Sequence, residues 1–196
     1  MTEAMTADDD RPGTMASGGR AKRPPRRVTA DYLRRAALHY LERYAAPAAQ
    51  LRRVLARKVA VSCRHHGEEP AAYDAMLDDV VARCVGSGLV DDRRFAEARA
   101  ASLRRRGSSA RLVSAKLAAK GVGRELAGEV SATGLEEEVA AARILARRKR
   151  LGPWSRGERA ASRDRDLAAM ARAGFSYAVA RAVIDGAGPE EEIAQV

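Results

Sequence analysis

The chain has 196 residues, of which 46% are apolar but only 4% aromatic, and it carries a net charge of +10. A supply of small aliphatic side chains suits thin helical layers and argues against a broad β core. Such a charge calls for a polyanion or an acidic protein surface as partner; the blander reading is that arginine simply solvates helix faces.

Two cysteines, Cys63 and Cys84, are too few for a disulfide framework and fit a reducing, cytoplasmic setting. No apolar run approaches the ~20 residues of a membrane helix, and no apolar h-region marks a secretory signal. Residues 1–28 lack any apolar period. They run from Asp8-Asp9-Asp10 through Ser17-Gly18-Gly19 to a basic stretch ending at Arg26-Arg27, and predict a disordered tail, acidic and then basic.

From Asp31 onward Leu33, Ala37, Tyr40, Leu41 and Tyr44 form one helical stripe. After a break at Ala45–Pro47, Leu51, Val54, Leu55 and Val59 continue on a second helix, with Pro47 at its start. The segment Ser62–Pro70 reads as a loop. Tyr73, Met76, Leu77, Val80, Val81 and Cys84 mark a third helix, closed by Gly86-Ser87-Gly88.

The stretch from Gly88 to Gly121 is a complete helix–turn–helix unit. Asp91 predicts an N-cap with Asp92 in the first turn, and Val90 with Phe95 predicts a hydrophobic staple. The helix runs through Arg104-Arg105-Arg106 and stops at Gly107, its cations at the negative end of the dipole. Ser108 or Ser109 caps the next helix, which turns Val113 and Leu117 inward and ends at Lys120-Gly121.

Beyond it, Arg124 to about Ser131 predicts a short helix carrying Leu126 and Val130. Glu136 to Arg150 predicts another, acidic at its start and basic at its end, stopped by Gly152-Pro153. A polar stretch from Trp154 leads to a helix centred on Leu167 and Met170. The last helix spans Ser176–Asp185, and residues 187–196 form an acidic tail.

An internal repeat organises these elements. Leu41, Arg43, Pro47, Leu51 and Leu55 align with Leu103, Arg105, Ser109, Val113 and Leu117. A third copy aligns Met170, Arg172, Ser176, Ala180 and Ile184, so the offsets are 62 and 67 residues. The expected fold is all-α: three tandem three-helix repeats at residues 29–88, 89–134 and 135–186, stacked on one continuous core.

Few residues invite a catalytic reading. Asp91-Asp92 is a carboxylate pair, but capping accounts for both without a pocket. Cys63, His65 and His66 lack a second ligand cluster at zinc spacing. Gly152–Glu158 superficially follows a phosphate loop, yet it has Glu158 where a lysine is needed and Pro153 removes an N–H. No enzyme, metal or cofactor is predicted.

The motif Leu89-Val90-Asp91-Asp92-Arg93-Arg94-Phe95-Ala96-Glu97-Ala98, then Arg105-Arg106-Gly107, then Lys116-Leu117 and Lys120-Gly121-Val122, resembles the RecX family of RecA regulators. The resemblance implies an elongated, curved molecule of tandem three-helix repeats. It implies a regulator, mainly an inhibitor, that lodges in the groove of the RecA filament. There it limits filament extension, ATP hydrolysis and strand exchange, acting as a monomer with single- and double-stranded DNA as a further contact.

The candidate contacts for RecA or DNA are the basic residues Arg94, Arg104, Arg105, Arg106, Arg111, Lys116, Lys120, Arg147, Arg148, Lys149 and Arg150. Lys116 and Lys120 repel each other by a few tenths of a kcal/mol at their four-residue spacing, a cost that suits a face kept for an anion. Gly88, Leu89, Asp91, Asp92, Phe95, Gly107 and Gly121 are expected to hold the fold. The alternative is a helical DNA-binding protein that acts without RecA and reads no sequence.

Overall fold

The structure is a computed structural model, and it describes residues 24–186. Among these residues the secondary structure is helical throughout, with no strand. The first trio comprises α1 (Ala30–Leu41), α2 (Ala48–His66) and α3 (Asp74–Gly86). The second comprises α4 (Asp92–Arg104), α5 (Ala110–Lys120) and α6 (Arg124–Ser131), and the third α7 (Leu135–Lys149), α8 (Arg159–Arg172) and α9 (Tyr177–Ile184).

Local signals set the helix ends. Thr29, Asp91, Ser109 and Ser176 each accept a hydrogen bond from the backbone N–H three residues on, which satisfies a donor that the first turn leaves free. Ser109 rather than Ser108 is therefore the cap of α5. Pro47 stands before α2 in extended conformation and supplies no side-chain bond.

Each trio buries its own apolar cluster. Leu33, Leu51, Leu55, Val59 and Leu77 centre the first. Ala96, Leu103, Val113, Leu117 and Ala127 centre the second, with Leu126 and Val130 only partly buried against it. Leu145, Met170, Phe175, Val179 and Ile184 centre the third. The single continuous core expected from the repeat is therefore replaced by three separate ones.

Other expectations need correction. The segment from Ser62 is not a loop, since α2 continues to His66 and Ser62 and Cys63 are buried on its inner face. No breaker precedes Gly67, whose φ of +68° ends the helix. The last part of the expected tail is also ordered. Val28 is buried in the first cluster, Ser62 Oγ donates to Arg26 O at 2.8 Å, and Arg27 pairs with Glu68 at 2.9 Å. Residues 1–23 of that tail and residues 187–196 lie outside the described residues.

Val90 is buried in the first cluster whereas Phe95 packs on the second, so the two occupy opposite sides of a junction rather than forming a private staple.

The third copy of the repeat matches a non-equivalent turn. Gly174 lies between the second and third helices of its trio, where its counterpart is Gly121. Both turns bond alike: Val122 N–H donates to Leu117 O at 3.1 Å, and Phe175 N–H to Met170 O at 3.2 Å. The true counterpart of the Gly107 turn is at Arg150, a left-handed residue with φ of +56°. The sequence marks this helix end by Gly152-Pro153, but Arg150 is no glycine and does not show that the left-handed residue falls there.

One acid is buried in the third trio. Asp166 is 0% exposed, and its Oδ2 accepts from Gly152 N–H at 2.8 Å, which fixes the α7–α8 link to α8.

Candidate partner-binding surface

The surface is organised by the two junctions between trios, and both are built the same way. In each, a carboxylate from the first helix of one trio caps the second helix of the trio before it. Asp92 Oδ1 accepts from Ala48 N–H at 2.8 Å, and both carboxylate oxygens of Glu138 accept from Ala110 N–H at 3.1 Å. A negative charge at a helix N-terminus is favourable, so each joint is stabilised by the dipole it caps. Asp92 thus does more than occupy a first turn, while Asp91 Oδ1 accepts from Arg94 N–H at 2.9 Å as the N-cap.

The second helices also meet end to end. The C-terminus of α5 reaches the start of α2, where Arg53 Nη2 donates to Lys120 O at 2.6 Å. The C-terminus of α8 reaches the start of α5, where Ser109 Oγ donates to Ala173 O at 2.7 Å. These bonds satisfy carbonyls that a helix end leaves free. Gly121 lies where a Cβ would stand 2.8 Å from Ala49 Cβ, so the approach there needs a glycine.

This framework decides which cations remain available. Arg104 is half-buried and donates to the carbonyls of Ser131 and Ala132 at the end of α6, so it serves the fold. Arg148 Nη1 donates to Arg106 O at 2.7 Å. That bond draws the two basic clusters of the sequence together, the Arg105–Arg106 turn against the last turn of α7.

Arg94, Arg105, Arg106, Arg111, Lys116, Lys120, Arg147, Lys149 and Arg150 are exposed. Among the described residues none of their side chains has a hydrogen bond or ion pair. Arg111 shares a groove between the second and third trios with Arg172, which the sequence marks as a repeat position and not as a contact. Lys116 and Lys120 continue along α5 towards the first trio.

Other charges are spent within the fold. Arg52 bonds Asp74 and Asp78, Arg93 bonds both oxygens of Glu129, and Arg163 bonds Asp185. The arginine hydrogen bond in each case holds the carboxyls of Asp78, Glu129 and Asp185 below their ordinary range. Burial pushes the Cys63 thiol up, with Glu68 and Glu69 adding to it, and burial alone raises Cys84. Among the described residues no group of His, Cys, Asp and Glu is placed to hold a metal ion, and no helix is long and apolar enough to cross a membrane.

Fold and surface together define a tandem three-helix-repeat protein that turns unpaired cations outward on successive units. The family model for the second three-helix domain of RecX matches residues 91–130, the span of α4 to α6. The regulatory protein RecX of Myxococcus xanthus (strain DK1622) is 46% identical over 182 residues, covering 91% of this chain and 97% of that protein. The chain belongs to the RecX family. A crystal structure of RecX from Lactobacillus salivarius shares the fold, with a TM-score of 0.63 at 15% identity over 85% of this chain and 97% of that one.

Proposed function

We propose that this protein regulates the RecA recombinase, mainly as an inhibitor, by lodging in the groove of the RecA filament. The observation that carries the reading is the match to a regulatory protein RecX along nearly the whole of both chains. In this reading the protein works as a monomer in the cytoplasm and catalyses nothing. Its successive trios contact successive RecA subunits, and it hinders filament extension, ATP hydrolysis and strand exchange.

The exposed cations of α5, of the Arg105–Arg106 turn and of the end of α7 supply the electrostatic contact, to acidic RecA surface or to DNA phosphates. Phosphate contacts of this kind carry no base information, so binding is indifferent to sequence and weakens steeply with salt.

The test is growth of fluorescent RecA on single-stranded DNA with the protein added at ratios well below one per RecA. Arrested extension is expected, and charge reversal at Arg105 and Lys116 is expected to relieve it. Unchanged growth at excess protein, with DNA binding retained, would favour a DNA-binding protein that acts without RecA.

A further inference from the structure

A groove of about 580 Å³ lies at the junction of the first and second trios. One wall is the α1–α2 link at Ala45 and Ala46, and the other is Leu89 with the face of α4 that carries Phe95 and Ala98. The fold leaves part of this lining open, although Ala46 is buried and Phe95 packs on the second cluster. Leu89, read from the sequence as a fold-holding residue, is 53% exposed, and Phe95 is only half-buried.

The groove is also preformed. Asp91 caps α4, and the bond from Ala48 N–H to Asp92 fixes α4 against the start of α2. A partner therefore meets a shaped cleft and orders little on binding.

Charge narrows the choice of partner. Arg94 and Arg99 both line the groove. Five residues apart on one helix, they stand about 140° apart around its axis, with Phe95 and Ala98 between them. Neither guanidinium has a partner among the described residues. The carboxylate in the lining, Asp91, already accepts from Arg94 N–H. An apolar floor between two unpaired arginines matches an apolar side chain flanked by carboxylates, with arginine and aromatic groups as the anchors.

We infer that this groove docks an acidic peptide segment of the protein partner, inserting an apolar side chain beside Leu89 and Phe95 while its carboxylates engage Arg94 and Arg99. The inference takes the RecA filament as the source of the segment and so rests on the function proposed above. It assigns a contact to the junction between trios, apart from the cationic surface of α5 and α7.

The test is site-specific photo-crosslinking of the full chain with RecA filaments on single-stranded DNA. Benzoylphenylalanine replaces Leu89 in one variant. In the control it replaces Leu135, which is 70% exposed in the third trio. The Leu89 probe is expected to join a RecA segment that holds an apolar residue among Asp or Glu. Arg99→Glu is expected to cut that yield at least fivefold while leaving the Leu135 yield and the melting temperature unchanged.

A product with this chain's own Glu190–Glu192, with a second copy, with DNA, or with a RecA segment lacking carboxylates would overturn the inference. So would equal loss at both probes. Inhibited RecA ATPase without a Leu89 product would overturn it alone. No effect on the ATPase and no product would overturn the RecA reading as well.

Discussion

Replacing Gly107 with alanine probes the joint between the second and third trios, and its effect has two separable parts. Gly107 has φ of +74°, a conformation that costs an L-residue roughly 1–2 kcal/mol. A Cβ there would also stand 2.6 Å from Leu145 N, 2.8 Å from Ala141 O and 3.1 Å from Ile144 Cγ2. The first two are backbone atoms of α7, which cannot yield without moving the helix, and overpacking of that kind costs about 1–3 kcal/mol more.

Gly67→Ala is the control. Its φ of +68° is nearly the same, but nothing lies within 4 Å of the added carbon. Urea unfolding followed by helical circular dichroism and by the fluorescence of Trp154 in the third trio measures both variants. The expected losses are about 2–5 kcal/mol for Gly107→Ala and about 1–2 for Gly67→Ala. Equal losses would refute the packing of the α4–α5 turn against α7.

Three further outcomes follow from the hydrogen bonds and charges. Ser109→Ala removes a buried hydroxyl that both caps α5 and satisfies Ala173 O, and is expected to cost about 1–3 kcal/mol of stability by denaturant unfolding. The carboxyls of Asp78, Glu129 and Asp185 titrate lower when folded than when unfolded, so their contribution is full above the ordinary carboxylate range and is lost as pH falls through the lowered folded values. Melting temperature is expected to drop as pH falls through and below the ordinary carboxylate range, with Glu129→Gln showing a shallower drop than the parent. Cys63 and Cys84 are buried thiols with raised pKa, and a disulfide reagent is expected to label them in the native protein far more slowly than in urea.

The helices were legible in the sequence because each signal for them is local. Asp91, Ser109, Gly107 and Gly121 declare their ends within a few residues, and stripes such as Leu51, Leu55 and Val59 declare the buried faces. The errors arose where the deciding partner is distant. Gly152-Pro153 announces the end of α7, but Arg150 does not declare its left-handed conformation, and Gly174 is the more obvious match to Gly107. Ser62–His66 looked like a loop because its polar residues hid Ser62 and Cys63 on the inner face of α2.

The candidate surface was legible as composition but not as geometry. Arg104 reads like its neighbours Arg105 and Arg106, yet the carbonyls it serves belong to Ser131 and Ala132, in another helix. Glu138 read as an ordinary acidic residue of a first turn, and only its distance to Ala110 N–H reveals the joint. Arg172 stands out in the sequence only as a repeat position, and nothing local marks it or Arg99 as lining a groove, or Leu89 as exposed.

The most direct test of the central claim is the DNA-dependent ATPase of the cognate RecA on single-stranded DNA, titrated with this protein. The account predicts strong inhibition well below one molecule per RecA, relieved by Arg105→Glu together with Lys116→Glu in a protein that melts normally. An ATPase unchanged at excess protein, under salt conditions where RecA filaments form, would contradict it.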